Sequence, residues 1–287
     1  MLSLMLAGLA TAAPTVEDGQ YFLSHSEIGL ELGTFARDSA TTFAPLLHTR
    51  LRVIEPLVFE LDIPFAIQDG GGQGTSVIGN IGLSGRFLAK LEDVGFFEVG
   101  FGVSIPTGFI SEDNALQDSI AQGRAGSLLG LQPAYRYGEN LFAVFVPLGL
   151  ELASSGNSYV LMDGEMAILA STSDDGGSII APSEVGGTMA FLIRGGYRPG
   201  PFDLSVGFGT TAFLGDGYVF SGDNDIEAQV FVEPGVAFRV GPESELSGLE
   251  VGSRLRVLLD APLGGNGFED GFYGLFFDVR HRFDFLN

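Results

Sequence analysis

At 287 residues, with 45% hydrophobic side chains, 43 Gly, 25 Phe, no Trp and no Cys, the chain offers no thiol for a disulfide, a thiolate metal site or cysteine redox chemistry. Fourteen Lys and Arg against 36 Asp and Glu give a formal charge of −22, which excludes a nucleic-acid partner, because phosphate neutralisation needs clustered basic residues. An acidic excess of this size has to sit in water.

In chain order, MLSLMLAGLATAA is an apolar run ending in small residues, with Ala10-Thr11-Ala12 in the A-x-A cleavage pattern. Residues 1–13 therefore read as a signal peptide, 14–26 as a short periplasmic segment, and 27–287 as the folded body. No later run of about eighteen apolar residues predicts a transmembrane helix. Two-residue alternation predominates instead, and it predicts twelve strands. The first six are Glu27–Arg37, Thr42–Ile54, Leu57–Gln68, Val77–Lys90, Gly95–Thr107 and Arg124–Tyr137. The second six are Asn140–Ala153, Glu184–Arg198, Pro201–Leu214, Ile226–Val240, Ser247–Asp260 and Phe272–Phe285. Tyr159 to Ala170 also alternates and reads as structure within the longest loop.

Gly95 to Gly108, GFFEVGFGVSIPTG, shows the pattern at its clearest. Phe97, Val99, Phe101, Val103 and Ile105 share one face; Phe96, Glu98, Gly100, Gly102 and Ser104 share the other. An oily face backed by a charge among glycines fits a wall between lipid and a narrow wet interior. Each strand is long enough to cross a bilayer at a tilt, which takes about nine to eleven residues. Short links alternate with mostly longer loops rich in Gly, Ser, Asp and Asn, the asymmetry of an outer-membrane barrel with short periplasmic turns. The fold class is thus all-β: an antiparallel up-and-down transmembrane β-barrel of about twelve strands in the bacterial outer membrane, its oily face against outer-membrane lipid.

Charge placement follows the same parity. All fourteen basic residues fall opposite the oily faces, with fourteen of the 36 acids beside them. A lipid-facing Arg or Lys at the bilayer midplane costs about 2–4 kcal/mol, which supplies the pressure for such segregation. Glu60, Asp62, Arg86, Glu98, Arg124, Arg194, Glu233, Arg254, Arg256 and Arg280 are the candidate lumen-lining residues. Twelve strands close at a backbone radius of roughly 12 Å, which Arg side chains substantially fill. Inward apolar residues Phe35, Ile78, Leu128, Phe145, Leu192, Phe231, Leu258 and Phe276 either form an oily path or fill a tapering interior. The remaining 22 acids belong to loops, turns and the N-terminal segment; fourteen of them, Asp163 and Glu165 included, are assigned to outer loops and give a negative external mouth. Aromatics of outward parity near the turn end (Phe59, Phe87, Phe97, Tyr135, Tyr137, Phe142, Tyr197, Phe202, Phe238, Phe283 and Phe285) predict an interfacial girdle.

Three stretches, FELDIPFAI (Phe59 to Ile67), GNIGLSGRF (Gly79 to Phe87) and SIPTG (Ser104 to Gly108), resemble the phenol-degradation meta-pathway transporter group of outer-membrane proteins. That group tends to have Asp where this chain has Asn80. The resemblance implies an outer-membrane barrel linked to uptake of small hydrophobic compounds and carries over no functional residue. The C-terminal HRFDFLN is similar to the signal read by the barrel-assembly machinery, the expected protein partner.

Residues for other chemistry are scattered. His25, His48 and His281 form no nucleophile and base arrangement, so no catalytic residue is assigned. GGGQG at Gly70 to Gly74 lacks the Lys-Ser/Thr of a phosphate loop. Asp223-Asn224-Asp225 and Asp174-Asp175 complete no calcium loop, so no cofactor or metal is expected. The expected function is a channel or transporter for small solutes, with hydrophobic solutes among the candidates. The alternative is a closed structural or adhesive barrel whose acidic loops carry the function. Fractionation checks the membrane reading: the protein should stay with membranes through a salt wash and migrate differently before and after boiling. Recovery in a salt-washable soluble fraction with no heat-modifiable migration would contradict it.

Overall fold

The computed structural model describes residues 22–37, 40–70, 75–92, 94–107, 134–138, 140–153, 157–172, 185–214, 226–241, 244, 246–260 and 273–283. The export segment, Arg124, Leu128 and Phe285 lie outside these. The strands are β1 (Ser26–Arg37), β2 (Ala40–Ile54), β3 (Leu57–Gly70), β4 (Thr75–Ile78), β5 (Ile81–Leu91), β6 (Gly95–Ile105) and β7 (Leu141–Ala153). After these come β8 (Ser158–Ser171), β9 (Val185–Tyr197), β10 (Phe202–Leu214), β11 (Ile226–Arg239), β12 (Leu249–Asp260) and β13 (Tyr273–Phe283). Every pairing is antiparallel between neighbours in the chain, and β1 closes the ring on β13. Strands β4 and β5 both pair with β3 and make one crossing in two pieces, so twelve crossings form a closed barrel. Closure is what lipid demands: hydrocarbon offers no partner to an unpaired backbone group, and a closed ring has no edge.

The wall sorts side chains by strand parity. On β6, Phe97, Phe101 and Ile105 are exposed while Glu98 and Ser104 have essentially no accessible surface. On β10, Leu204, Val206 and Phe208 face out; on β9, Phe191 and Ile193 do. A continuous apolar exterior around charged interior positions makes this a transmembrane β-barrel of the bacterial outer membrane. Six exposed aromatics, Phe59, Phe87, Phe97, Tyr197, Phe202 and Phe238, stand near the strand ends that carry the short turns, as a girdle at one interface.

Glycines on the inner face make room for larger inward groups. A Cβ on Gly102 would lie 2.3 Å from the ring of Phe145, and one on Gly149 would lie 2.6 Å from Cγ of Glu98. Small residues between large ones thus interlock across strands, which fills a tight interior without moving the backbone.

Two strand expectations fail in compensating ways. Strand β6 pairs with β5 on one side and with β7 on the other, which leaves no place for a strand at Arg124–Tyr137 between them. Its described part, Ala134–Arg136, is a 3-10 turn inside the barrel. Tyr159 to Ala170 belongs instead to a full strand, β8, which pairs with β7 and follows directly on Asn157, whose φ is a positive 63°. The Pro133 that interrupts the first segment and the Gly-Asn pair at 156–157 were the available sequence signals. The count of twelve survives, but β7 runs opposite to expectation, toward the turn end.

Other assignments change with it. Asp163 and Glu165 leave the outer loops and face the lumen from β8. Tyr135 and Tyr137 leave the girdle and are fully buried, and Phe142, second in β7, stands at the loop end. Ile78 is half exposed and faces out, because the break at Gly79 and Asn80 shifts parity between β4 and β5. Phe145, Leu192, Phe231, Leu258 and Phe276 are buried inside.

Phe208 lies midway along β10, between Ile193 and Val232 on the lipid face. Phe208→Arg should cost about 2–4 kcal/mol and lower the yield of heat-modifiable folded barrel, whereas Phe208→Leu should fold normally. Equal yields in a refolding assay would contradict the assignment of this face to lipid.

Candidate functional site

Backbone amides begin the site. At the turn end, Phe22 and Leu23 enter the lumen and donate their N–H groups to the two oxygens of Glu151, at 2.9 Å each. Arg50 donates to the Leu23 carbonyl at 2.9 Å and Arg52 to the Ser24 carbonyl at 3.0 Å. The Phe22 ring lies between the guanidiniums of Arg198 and Arg282, 4.1 and 4.5 Å from its centroid, and edge-on to Tyr159. Leu23 packs on Val58, Leu88 and Phe96. Hydrogen bonds to a charged acceptor contribute about 1.5–3 kcal/mol each, so Glu151 holds this segment firmly.

Above it, charges from adjacent strands neutralise one another. Arg50 on β2 reaches Glu60 on β3 at 2.5 Å and Glu98 on β6 at 2.7 Å, while Arg86 on β5 reaches the same two carboxylates. Two guanidiniums and two carboxylates thereby close a ring over four adjacent crossings. Across the lumen, Glu233 on β11 takes Arg194 at 2.6 Å, Arg256 at 2.5 Å and Arg254 at 3.3 Å. Arg254 extends this network to Glu31 and toward Asp278, and Arg280 pairs with Asp278 at 2.9 Å.

At the loop end, residues 134–138 fold inward. Arg136 pairs with Asp62 at 2.5 Å, and Asp62 also meets His48 at 2.6 Å. Tyr135 stacks on Phe145 and donates its hydroxyl to Glu165 at 2.6 Å. Burial pushes the Tyr135 phenol well above its ordinary pKa, which keeps it a donor. The segment is fixed to the wall by Asn80, in the gap between β4 and β5. The Asn80 amide nitrogen donates to the carbonyls of Tyr135 and Gly138 at 2.7 and 2.6 Å, and its backbone N–H donates to that of Arg136 at 2.6 Å. The side-chain oxygen accepts the Thr107 N–H at 3.1 Å. The Thr107 hydroxyl donates to the Gly79 carbonyl at 2.8 Å and accepts the Ile81 N–H at 3.0 Å. GNIGLSGRF and SIPTG are therefore bonded to each other.

A cavity of about 320 Å³ remains between these obstructions, bounded by Phe22 and Leu23 at one end and Arg136 at the other. Of the lumen candidates read from the sequence, Glu60, Arg86, Glu98, Arg194, Arg254, Arg256 and Arg280 line it, while Asp62 and Glu233 stand just behind as partners of arginines on it. Arg124 lies outside the described residues. Asp163, Glu165, Glu151, Asn80, Arg136 and Phe22 also belong to the site and were not among the candidates. For Asp163 and Glu165 the missed signal was their parity, opposite Val160, Met162, Met166 and Ile168. Among the described residues no group of three His, Cys, Asp or Glu is placed to hold a metal ion.

No protein-family model matches the chain, and no curated protein does. Among solved structures, the chain is similar to the COG4313 outer membrane channel from Pseudomonas putida F1, with a TM-score of 0.63 and 15% identity over 90% of this chain and 96% of that one. The translocator domain of the autotransporter NalP from Neisseria meningitidis follows at a TM-score of 0.44 and 12% identity, over 98% and 93%. The CymD monoaromatic hydrocarbon channel stands at 0.40 and 9% identity, over 92% and 89%. The first likeness is one of fold.

Asn80 supplies a test of the loop-end anchor. In Asn80→Asp an acceptor would replace the amide that donates to the Tyr135 and Gly138 carbonyls. Folded stability should fall by about 1–3 kcal/mol in a denaturant titration of the heat-modifiable form. Unchanged stability would show that the inward segment does not depend on this amide.

Proposed function

We propose that the chain is an outer-membrane channel for small solutes, hydrophobic ones among them, whose lumen is obstructed at rest by the Phe22–Leu23 segment. The observation that carries this reading is the lumen cavity of about 320 Å³, large enough for a small organic solute and lined by both charged and apolar side chains. Leu46, Pro147, Ala190 and Leu192 give it oily patches beside its arginines and carboxylates. The motif resemblance supports a link to hydrophobic compounds, and the fold shared with the COG4313 outer membrane channel is compatible with it. Insertion through the barrel-assembly machinery, read from HRFDFLN, belongs to the same proposal.

A second reading, a closed structural or adhesive barrel, draws on the obstruction of the lumen from both ends. Glu151 separates the two. Glu151→Ala leaves the Phe22 and Leu23 amides without their acceptor and should loosen the turn-end obstruction. In planar bilayers the wild type should give small, infrequent currents and Glu151→Ala larger ones, with liposome uptake of a small solute rising in parallel. Absence of current from both proteins, each verified as folded, would favour the closed barrel.

A further inference from the structure

Among the described residues, every charged side chain that lines the central cavity has a direct ion-pair or hydrogen-bond partner, with one exception. The arginines that line it, Arg50, Arg86, Arg136, Arg194, Arg254, Arg256 and Arg280, each reach a carboxylate within ion-pair distance. Carboxylates at Glu60, Glu98, Glu31 and Asp278 are held by those arginines, Glu27 by Arg282, and Glu165 accepts the Tyr135 hydroxyl. Among the described residues, Asp163 has no hydrogen-bond partner and no ion pair. It stands on β8 between Gly149 on β7 and Leu192 on β9, neither of which has a polar side chain, and it is exposed to the cavity.

From this we infer that Asp163 sets the charge selectivity of the lumen: its carboxylate, with no direct partner, draws cations, or solutes bearing a protonated amine, into the cavity and disfavours anions. The inference rests on the channel reading above and adds a specificity-determining residue to it. The physical reason is that a guanidinium in contact with carboxylates presents little net field to a passing ion, whereas Asp163, on which Arg86 and Arg194 act only from beyond ion-pair distance, presents more of its charge. One unit charge about 8 Å from the path, even at the dielectric of water, changes the local concentration of a monovalent ion about two- to threefold. A charge inside the cavity also differs from a charge at the mouth in its response to salt. At 1 M salt the Debye length is about 3 Å, so exposed mouth acids are screened, while a charge facing a cavity too narrow for bulk electrolyte is screened much less.

Reversal potentials across a KCl gradient in planar bilayers test this, with Glu151→Ala as the conducting background if wild-type currents are small. The parent should prefer potassium at low salt and retain the preference near 1 M. Asp163→Asn should lower the potassium-to-chloride permeability ratio at least about twofold at both salt levels. Asp163→Glu should keep the preference, and Asp163→Ser should lose it should the Asn variant fold poorly. Glu92→Gln, which removes an exposed charge at the turn end, should leave the high-salt ratio unchanged. Heat-modifiable migration verifies each barrel. Equal high-salt ratios for the parent and folded Asp163→Asn or Asp163→Ser would overturn the assignment to Asp163 while leaving a working channel. Absence of current from the folded wild type and folded Glu151→Ala would overturn the channel reading and the inference with it.

Discussion

Glu98 has almost no accessible surface, yet two guanidiniums bind it, at 2.7 Å from Arg50 and 2.6 Å from Arg86. The rest of the interior follows from that kind of pairing. A charge buried without a partner costs several kcal/mol, and removal of one member of a buried pair costs about 3–5 kcal/mol. The barrel excludes charges from its lipid face, so it must collect them inside, and it can do so only by setting acids and arginines at matching heights on neighbouring strands. The ring of Arg50, Glu60, Arg86 and Glu98 spans four crossings, and the group around Glu233 joins β9, β11 and β12 and reaches β1 and β13 through Arg254. Such contacts bind strands side by side beyond their backbone ladders.

Side-chain volume then becomes the limiting quantity. Arginines stretched across the lumen leave little free space, and inward Gly102 and Gly149 exist where Phe145 and Glu98 need theirs. The two inserted segments use the same polar currency from opposite ends. Glu151 accepts backbone amides of the N-terminal segment, and Asn80 donates to backbone carbonyls of the 134–138 turn. One anchor is an anion and the other a neutral amide. An Asp at position 80 would face the carbonyls of Tyr135 and Gly138 with lone pairs.

The sequence by itself determined the alternating faces and the membrane as solvent, because a side-chain period of two and the cost of charge in lipid act locally on every strand. Gly95 to Ile105 shows this residue by residue, and Glu60, Arg86, Glu98, Arg194, Arg254, Arg256 and Arg280 were legible as lumen groups for the same reason. The count of twelve crossings agreed only because one strand too many and one too few cancelled. Only the tertiary structure decided which alternating segment is wall and which is insert. Arg124–Tyr137 and Tyr159–Ala170 carry comparable local patterns, and the difference lies in partners far along the chain: β6 finds β7 directly, and the inserted turn finds Asn80 and Asp62. Which charges cancel is likewise a property of height and neighbour around a closed ring. The isolation of Asp163 between Gly149 and Leu192 could not be read from its own stretch, because it depends on what the two adjoining strands place beside it.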